Sequence, residues 1–235
     1  VSDTIMRSMD AGLDPAAAEP GRQARLELNA LVESWYEASD RPGVLSHVRL
    51  HAERSALPDL DLYVRNTARV MFQGGYSTMV AAIGNVVHTL LRHPGWLARM
   101  RDPRLLRTGI DELIRYDGPV QGTSRIATTA TRIGDAPVEA GDTVLVLFAA
   151  ANRDPDQFAE PDRLIIDRAS ASRHLGYGWG PHSCLGAVTA QLALRALVAG
   201  LDQHTSGLHL AGIPRRRRTA TIRVFEALPA SFRAR

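Results

Sequence analysis

Apolar positions recur mostly at helical spacing, and the pattern turns strand-like only between Thr123 and Phe148 and again near the C-terminal end. An amphipathic opening (Ile5, Met6, Met9, Leu13) predicts a short first helix, broken by Asp14-Pro15 and Glu19-Pro20-Gly21. Leu26, Leu31, Val32 and Trp35 share one face of a second helix that Arg41-Pro42-Gly43 ends, and Val44 to Ser55 reads as a third. A long helical pattern then runs from about residue 58 to 93, through Leu60, Val64, Ala68, Met71, Phe72, Val80, Ile83, Val87, Leu90 and Leu91. Helices of that length usually cross the middle of a large domain. Gly74-Gly75 sit near its centre and weaken it by about 1 kcal/mol each relative to Ala. They either kink the helix or let something approach its backbone.

Two shorter helices follow, Gly95 to Arg101 and about 104–116, and Pro119 closes the second. Thr123–Thr128, Thr131–Ile133, Pro137-Val138 and Thr143–Phe148 are β-branched or alternating and are separated by turn residues, which predicts a small antiparallel sheet. Residues 152–172 are rich in Pro, Asp and Arg and too long for an ordinary connection, so they read as an ordered meander. A glycine-punctuated stretch leads into a helix over Leu185 to Leu201, and the tail (Leu208-His209-Leu210, Ala220–Phe225) predicts one more hairpin. The expected class is mainly α with small antiparallel β-sheets.

The 235 residues are 45% hydrophobic and 23% charged, which excludes a disordered, collagen-like or disulfide-stapled chain. All 28 basic residues are Arg, a pattern that reads as the coding bias of a GC-rich genome, and a net charge of +3 is no nucleic-acid footprint. The run Arg215-Arg216-Arg217-Arg218 reads first as a solvated turn between strands. No apolar run spans a membrane and no signal peptide shows. With one cysteine, Cys184, no internal disulfide can form, so the expected compartment is reducing and the expected location cytoplasmic. The chain opens on Val1, and the expectation is that its natural N-terminus lies further upstream.

The segment Gly176-Tyr177-Gly178-Trp179-Gly180-Pro181-His182-Ser183-Cys184-Leu185-Gly186 holds the most chemistry. As a dinucleotide loop it lacks a preceding strand and a ribose-binding acid. As a zinc site it offers only His174, His182 and Cys184, without a C-x-x-C partner. As a catalytic thiol, Cys184 precedes a helix whose N-terminus favours a thiolate. The bland alternative is a buried cysteine in a tight turn. A fourth reading is a thiolate ligand to haem iron: glycines let the backbone lie against a flat macrocycle, and His182 supplies a donor for its carboxylates.

The residues from Tyr177 to Gly186 resemble the haem-binding signature of the cytochrome P450 family, F-G-x-G-x-H-x-C-x-G, with Tyr177 for the opening Phe. Glu112-Leu113-Ile114-Arg115 resembles that family's E-x-x-R helix. Ala151-Asn152-Arg153-Asp154-Pro155, Phe158, Pro161-Asp162-Arg163 and Asp167-Arg168 resemble its meander, and Thr123-Ser124-Arg125 the strand whose Arg holds a haem propionate. The four segments stand in the family's order over Glu112–Gly186.

The resemblance implies a bacterial-type haem-thiolate monooxygenase, with haem b (iron protoporphyrin IX) bound through the Cys184 thiolate. Arg125 and His182 would hold the propionates, and Gly178, Gly180 and Gly186 would shape the loop. A buried triad of Glu112, Arg115 and Arg168 would fix the meander. Gly74 and Gly75 would leave room for dioxygen. The expected partners are a ferredoxin and ferredoxin reductase, or an equivalent electron donor, and a small hydrophobic substrate of secondary metabolism, with no nucleic acid and no membrane. Basic surface such as Arg215–Arg218 would suit an acidic ferredoxin.

Two departures stand out. Gln73-Gly74-Gly75-Tyr76-Ser77-Thr78 lies where the family carries A-G-x-[DE]-T, so Tyr76 replaces the acid and Ser77 the alcohol, leaving Ser77 or Thr78 to hold a water. Ala187-Val188-Thr189-Ala190-Gln191 replaces the family's A-x-L-A-R. The first keeps two alternatives open, a non-catalytic P450-like helper that binds a partner enzyme and a haem-binding sensor. The whole chain, 1–235, reads as the C-terminal portion of a single P450 domain whose N-terminal part is missing, and so as an inactive fragment when alone. Val120-Gln121-Gly122 would line what remains of its substrate pocket.

Overall fold

The computed structural model describes residues 1–10, 12–37, 41–55 and 57–235. They fall into two compact units, Val1–Val80 and Ala81–Arg235, with one long helix running through the boundary.

The first unit is helical. It contains α1 (Ser2–Ser8), α2 (Ala18–Glu37), α3 (Val44–Arg54) and the first part of α4 (Leu60–Arg92). Ile5, Ala24, Leu28, Val32 and Ala68 form its buried centre, with Trp35, Leu45 and Phe72 packed against it. The sequence places a break at Glu19-Pro20-Gly21, yet α2 already begins at Ala18. Pro20 lies within the first turn, where the proline nitrogen owes no intrahelical bond and its fixed φ suits the helix. Leu26 and Leu31, expected on the packed face, are exposed, and Leu28 takes that place. The glycine pair leaves α4 uninterrupted from Leu60 to Arg92, and a Cβ on Gly74 or Gly75 would meet nothing within 4 Å.

The second unit is built on α6 (Pro103–Asp117), which packs on α8 (Ala187–His204). Asp102 caps α6 by accepting a bond from the Arg104 amide (2.8 Å), and Pro103 fills its first position. That bond, joined by the Arg104 side chain, holds the Asp102 carboxyl below the ordinary carboxylate range. Ile110, Leu113 and Ile114 are buried on α6 and Leu194 and Val198 on α8. The helix expected over Gly95–Arg101 shrinks to α5 (Trp96–Arg99).

The β-structure is antiparallel but split into two-stranded ribbons. β1 (Thr123–Ile126) pairs with β4 (Thr143–Val146), and β2 (Thr131–Ile133) with β3 (Ala136–Val138). Phe148, expected in a strand, instead opens the one-turn helix α7 (Phe148–Ala151). The tail corrects the expected hairpin of Leu208–Leu210 with Ala220–Phe225. β5 (Thr205–Leu210) pairs with β8 (Ala230–Ala234), and β6 (Arg215–Arg216) with β7 (Phe225–Ala227). Residues 221–223 are drawn away to the end of α6. Arg223 N donates to Pro119 O (2.7 Å), Gln121 N to Thr221 O (2.9 Å), and Val120 bridges Ile222.

Arg216 explains that diversion and corrects the solvated reading for that one position of the arginine run, whose Arg215 and Arg218 are exposed. Its guanidinium lies 4.0 Å from the Phe225 ring centroid and donates to Asn85 Oδ1 (3.0 Å) and Asp117 Oδ2 (2.7 Å). Asn85 Nδ2 donates to Arg223 O (3.0 Å), and Arg223 Nε lies 2.9 Å from Asp117 Oδ1. His88 also packs against Phe225 (4.8 Å between ring centroids). Burial, and then the charge of Arg216, push its imidazole below the ordinary histidine range, so it adds no cation there at neutral pH. Asp117→Ala leaves Arg216 half-buried without its carboxylate and is expected to cost about 2–3 kcal/mol, read as a lower urea midpoint with an unchanged slope.

Candidate functional site

Glu112 and Arg115 stand one turn apart on the buried face of α6, and both side chains are fully enclosed. Arg115 donates through Nε to Glu112 Oε2 (2.7 Å) and through Nη2 to Oε1 (2.9 Å). Its remaining hydrogens go to the carbonyls of Asn152 (2.8 Å), Pro161 (2.8 Å) and Arg163 (3.1 Å). A guanidinium has five N–H donors, and all five are used here. Arg168 enters from the meander. Its Nε lies 3.1 and 3.0 Å from the two Glu112 oxygens, and its terminal nitrogens hold the carbonyls of Ala159, Glu160 and Arg163. Ile165 N also donates to Glu112 Oε1 (2.8 Å). One carboxylate and two guanidiniums therefore gather the backbone of residues 152–168.

Asn152 carries this order to the cysteine segment. It is 3% exposed, and its Oδ1 accepts from Leu175 N (2.6 Å). Gly176 then presses on α6, where a Cβ would meet Ile114 Cγ2 at 2.4 Å. Gly176 N donates to His174 Nδ1 (2.9 Å), and the His174 ring faces that of Tyr177 (5.3 Å). Gly178 and Gly180 adopt φ of +68° and +75°, a region that disfavours side chains, and Gly180–His182 forms a single 3-10 turn. Tyr177 O accepts the Cys184 amide (2.8 Å), which closes the loop. Burial, with Asp111 and Cys184 nearby, pushes the Tyr177 phenol up to about 12, so it stays protonated.

The loop leaves Cys184 exposed just ahead of α8, whose N-cap is Gly186, and a Cβ on Gly186 would come within 3.9 Å of Sγ. The bland expectation of a buried cysteine is therefore overturned. Trp179 (86% exposed), Leu185 (78%) and Val188 (71%) flank it, a large apolar surface for so few residues. His182 and Arg125 are exposed. The Arg125 guanidinium folds back onto Thr123 Oγ1 (3.1 Å) and Ser124 O (2.8 Å) of its own strand. Among the described residues no three metal-ligating side chains cluster, which leaves no donor set for zinc. One thiol with an apolar surround and the exposed His182 two residues away fits haem, whose iron needs a single protein ligand and whose edge bears two carboxylates.

In the first unit, Ser77 is buried with its Oγ 2.9 Å from Ser2 Oγ. Tyr76 stacks along its own helix on Phe72 (6.3 Å). The Thr78 hydroxyl bonds back to Gly74 O and shares a helix face with the glycine pair. Val120 and Gln121 line a cavity of about 280 Å3 with Tyr116, Asp117, Arg153 and Arg223. Asn152 and His174 are the two residues that sequence reasoning under-read. Asn152 appeared only as a motif letter and His174 only as a metal candidate.

These features coincide with a family match. The family model for cytochrome P450 matches residues 49–204, and the chain belongs to that family. It is 36% identical over 162 residues to cytochrome P450 CYP199A2 of Rhodopseudomonas palustris, covering 68% of this chain and 39% of that protein. It is 32% identical over 239 residues to the 20-oxo-5-O-mycaminosyltylactone 23-monooxygenase of Streptomyces fradiae, covering 98% and 56%. In structure it is similar to CalO2 (TM-score 0.85, 29% identity, 99% of this chain and 59% of that one). A similar likeness holds to the putative thioether synthase SgvP of griseoviridin tailoring (TM-score 0.84, 30% identity, 98% and 59%). The chain thus spans between two fifths and three fifths of these relatives. No helix among the described residues is long and apolar enough to cross a membrane.

Glu112→Gln keeps the shape of the side chain but strands two buried guanidiniums, and a loss of about 3–5 kcal/mol in denaturant unfolding is expected.

Proposed function

We propose that this chain carries the thiolate half of a haem-thiolate monooxygenase that inserts one atom of dioxygen into a small hydrophobic substrate. The observation that carries the reading is an exposed thiol, Cys184, on a glycine-shaped turn tied through Asn152 to the buried Glu112 cluster. Cys184 would hold the iron of haem b through its thiolate, and bound haem would supply dioxygen activation favoured by thiolate electron donation.

This chain's own residues then have four tasks. Gly178 and Gly180 let the backbone lie flat beside the macrocycle. Arg125 swings from its strand, and His182 turns, to form charge-assisted bonds with the propionates. Trp179, Leu185 and Val188 exclude water from the sulfur side. Gly74 and Gly75 keep the surface of α4 low for dioxygen, and Thr78 holds the proton-bearing water. Thr78 is preferred to Ser77 for that task because Ser77 is buried against Ser2, whereas Thr78 is only half-buried and its oxygen, having donated to Gly74 O, can still accept.

The electron donor is proposed to be a ferredoxin with its reductase. The Streptomyces fradiae relative, a 20-oxo-5-O-mycaminosyltylactone 23-monooxygenase, supports a secondary-metabolite substrate. Cytoplasmic location is part of the same proposal.

The test is spectroscopic. The protein reconstituted with haem, reduced and treated with carbon monoxide should show the long-wavelength Soret band of thiolate ligation. Cys184→Ala should abolish it, and haem uptake without that band in the parent protein overturns the assignment. A second expectation separates the two alcohols. Thr78→Ala should raise severalfold the share of electrons lost as hydrogen peroxide, whereas Ser77→Ala should change that share little.

A further inference from the structure

Behind the Cys184 turn, a layer of polar side chains lies where α6, the turn and α8 meet, and the haem reading uses none of them. Asp111 on α6 accepts from Gln191 Nε2 on α8 (2.8 Å), and Gln191 Oε1 accepts from Arg195 Nη2 (3.1 Å). His174 Nε2 lies 3.8 Å from the same Asp111 oxygen, and its ring faces Tyr177. Two groups in this layer are sealed from solvent yet have no partner among the described residues: the Tyr177 hydroxyl and Arg195 Nε. Both are donors, and the second oxygen of Asp111 is not engaged by any described residue. The family's signature opens with Phe and follows its cysteine with an Arg where this chain has Tyr177 and Gln191, so the hydroxyl and the amide are this chain's own.

A buried donor left unmade costs about 1–3 kcal/mol. Proteins rarely leave two in one layer, and they satisfy such groups with an enclosed water making two to four bonds. A water oxygen has two lone pairs to accept two donors, and its own hydrogens then need an acceptor.

We infer that one buried water joins Tyr177 Oη, Arg195 Nε and the free oxygen of Asp111, making Tyr177 and Arg195 coupled positioning residues for the Cys184 turn. The coupling reaches the cysteine by a short route, because Tyr177 O accepts the Cys184 amide at 2.8 Å. Fixing the phenol fixes the residue whose carbonyl closes the loop.

Two experiments on the haem-loaded protein test this, and only the second rests on the haem-thiolate reading. Crystal structures should show a water bonded to both Tyr177 Oη and Arg195 Nε in the parent protein and none there in Tyr177→Phe. An empty gap, or a protein acceptor serving both donors, overturns the inference. The second readout is the rate at which the long-wavelength carbon monoxide band decays on warming. Tyr177→Phe should speed the decay about fivefold, the equivalent of about 1 kcal/mol, and Arg195→Met, which also loses the bond to Gln191, at least as much. If both donors serve one water, the double variant should decay no faster than Arg195→Met alone, whereas a further increase of about fivefold from Tyr177→Phe in the Arg195→Met background overturns the sharing. A parent protein with no such band defeats the haem-thiolate reading alone, and the crystal structures still decide the water.

Discussion

The second unit is organised around one carboxylate. Glu112 is fully buried beside two guanidiniums, an arrangement that leaves an excess positive charge in a place with little solvent to screen it. Taking ions out of water costs several kcal/mol each even after relaxation, and Coulomb attraction repays this only where every remaining donor is met. Here the repayment comes from backbone carbonyls. Residues 152, 159, 160, 161 and 163 turn their oxygens inward, toward Arg115 or Arg168. The meander has little regular structure of its own, so its path is set by where these cations need acceptors. Apolar side chains of similar volume would fill the same space without holding any particular backbone oxygen. Charge is used to specify a route more than to add stability.

That specification passes to the sulfur through short links. Arg115 holds the Asn152 carbonyl, the Asn152 side chain holds the Leu175 amide, and the Tyr177 carbonyl holds the Cys184 amide. Each step is a single hydrogen bond, the first two between a side chain and the backbone and the last between two backbone groups. Gly176 is the one close approach along the way, since any side chain there would meet Ile114. The exposed position of Cys184 therefore results from a buried cause.

Much of this was legible in the sequence because charged and glycine residues at fixed spacing leave a strong mark. Glu112 and Arg115 at i,i+3, and glycines at 176, 178 and 180 before a lone cysteine, have few uses other than a brace and a tight loop. The long helix was equally plain from its period. The parts that escaped reading depend on partners far away in the chain. Arg216 looked like one of four solvated arginines until Asn85 and Asp117 were placed beside it. The tail strands exchanged partners because short β-branched runs carry no register of their own and residues 221–223 were taken by the end of α6. Pro20 misled through its position, since a proline breaks a helix interior but suits a first turn. Ser77 and Thr78 look interchangeable in one dimension, and the burial of Ser77 against Ser2 tells them apart.

A sulfur that must stay accessible cannot be held by packing its own side chain, because packing would bury it. The alternative is to hold the peptide units on either side and leave the side chain free. Cys184 shows that solution: its amide is bound by Tyr177, its carbonyl lies 3.3 Å from the Ala187 amide at the start of α8, and Sγ stays in the open. The helix end contributes about 0.3–1 kcal/mol to a nearby thiolate. That is too little to position it, so position has to come from the backbone and charge stabilisation can come from the helix. Dividing the work in this way explains why the mark in the sequence is a spacing of glycines ahead of the cysteine and not a set of large residues around it.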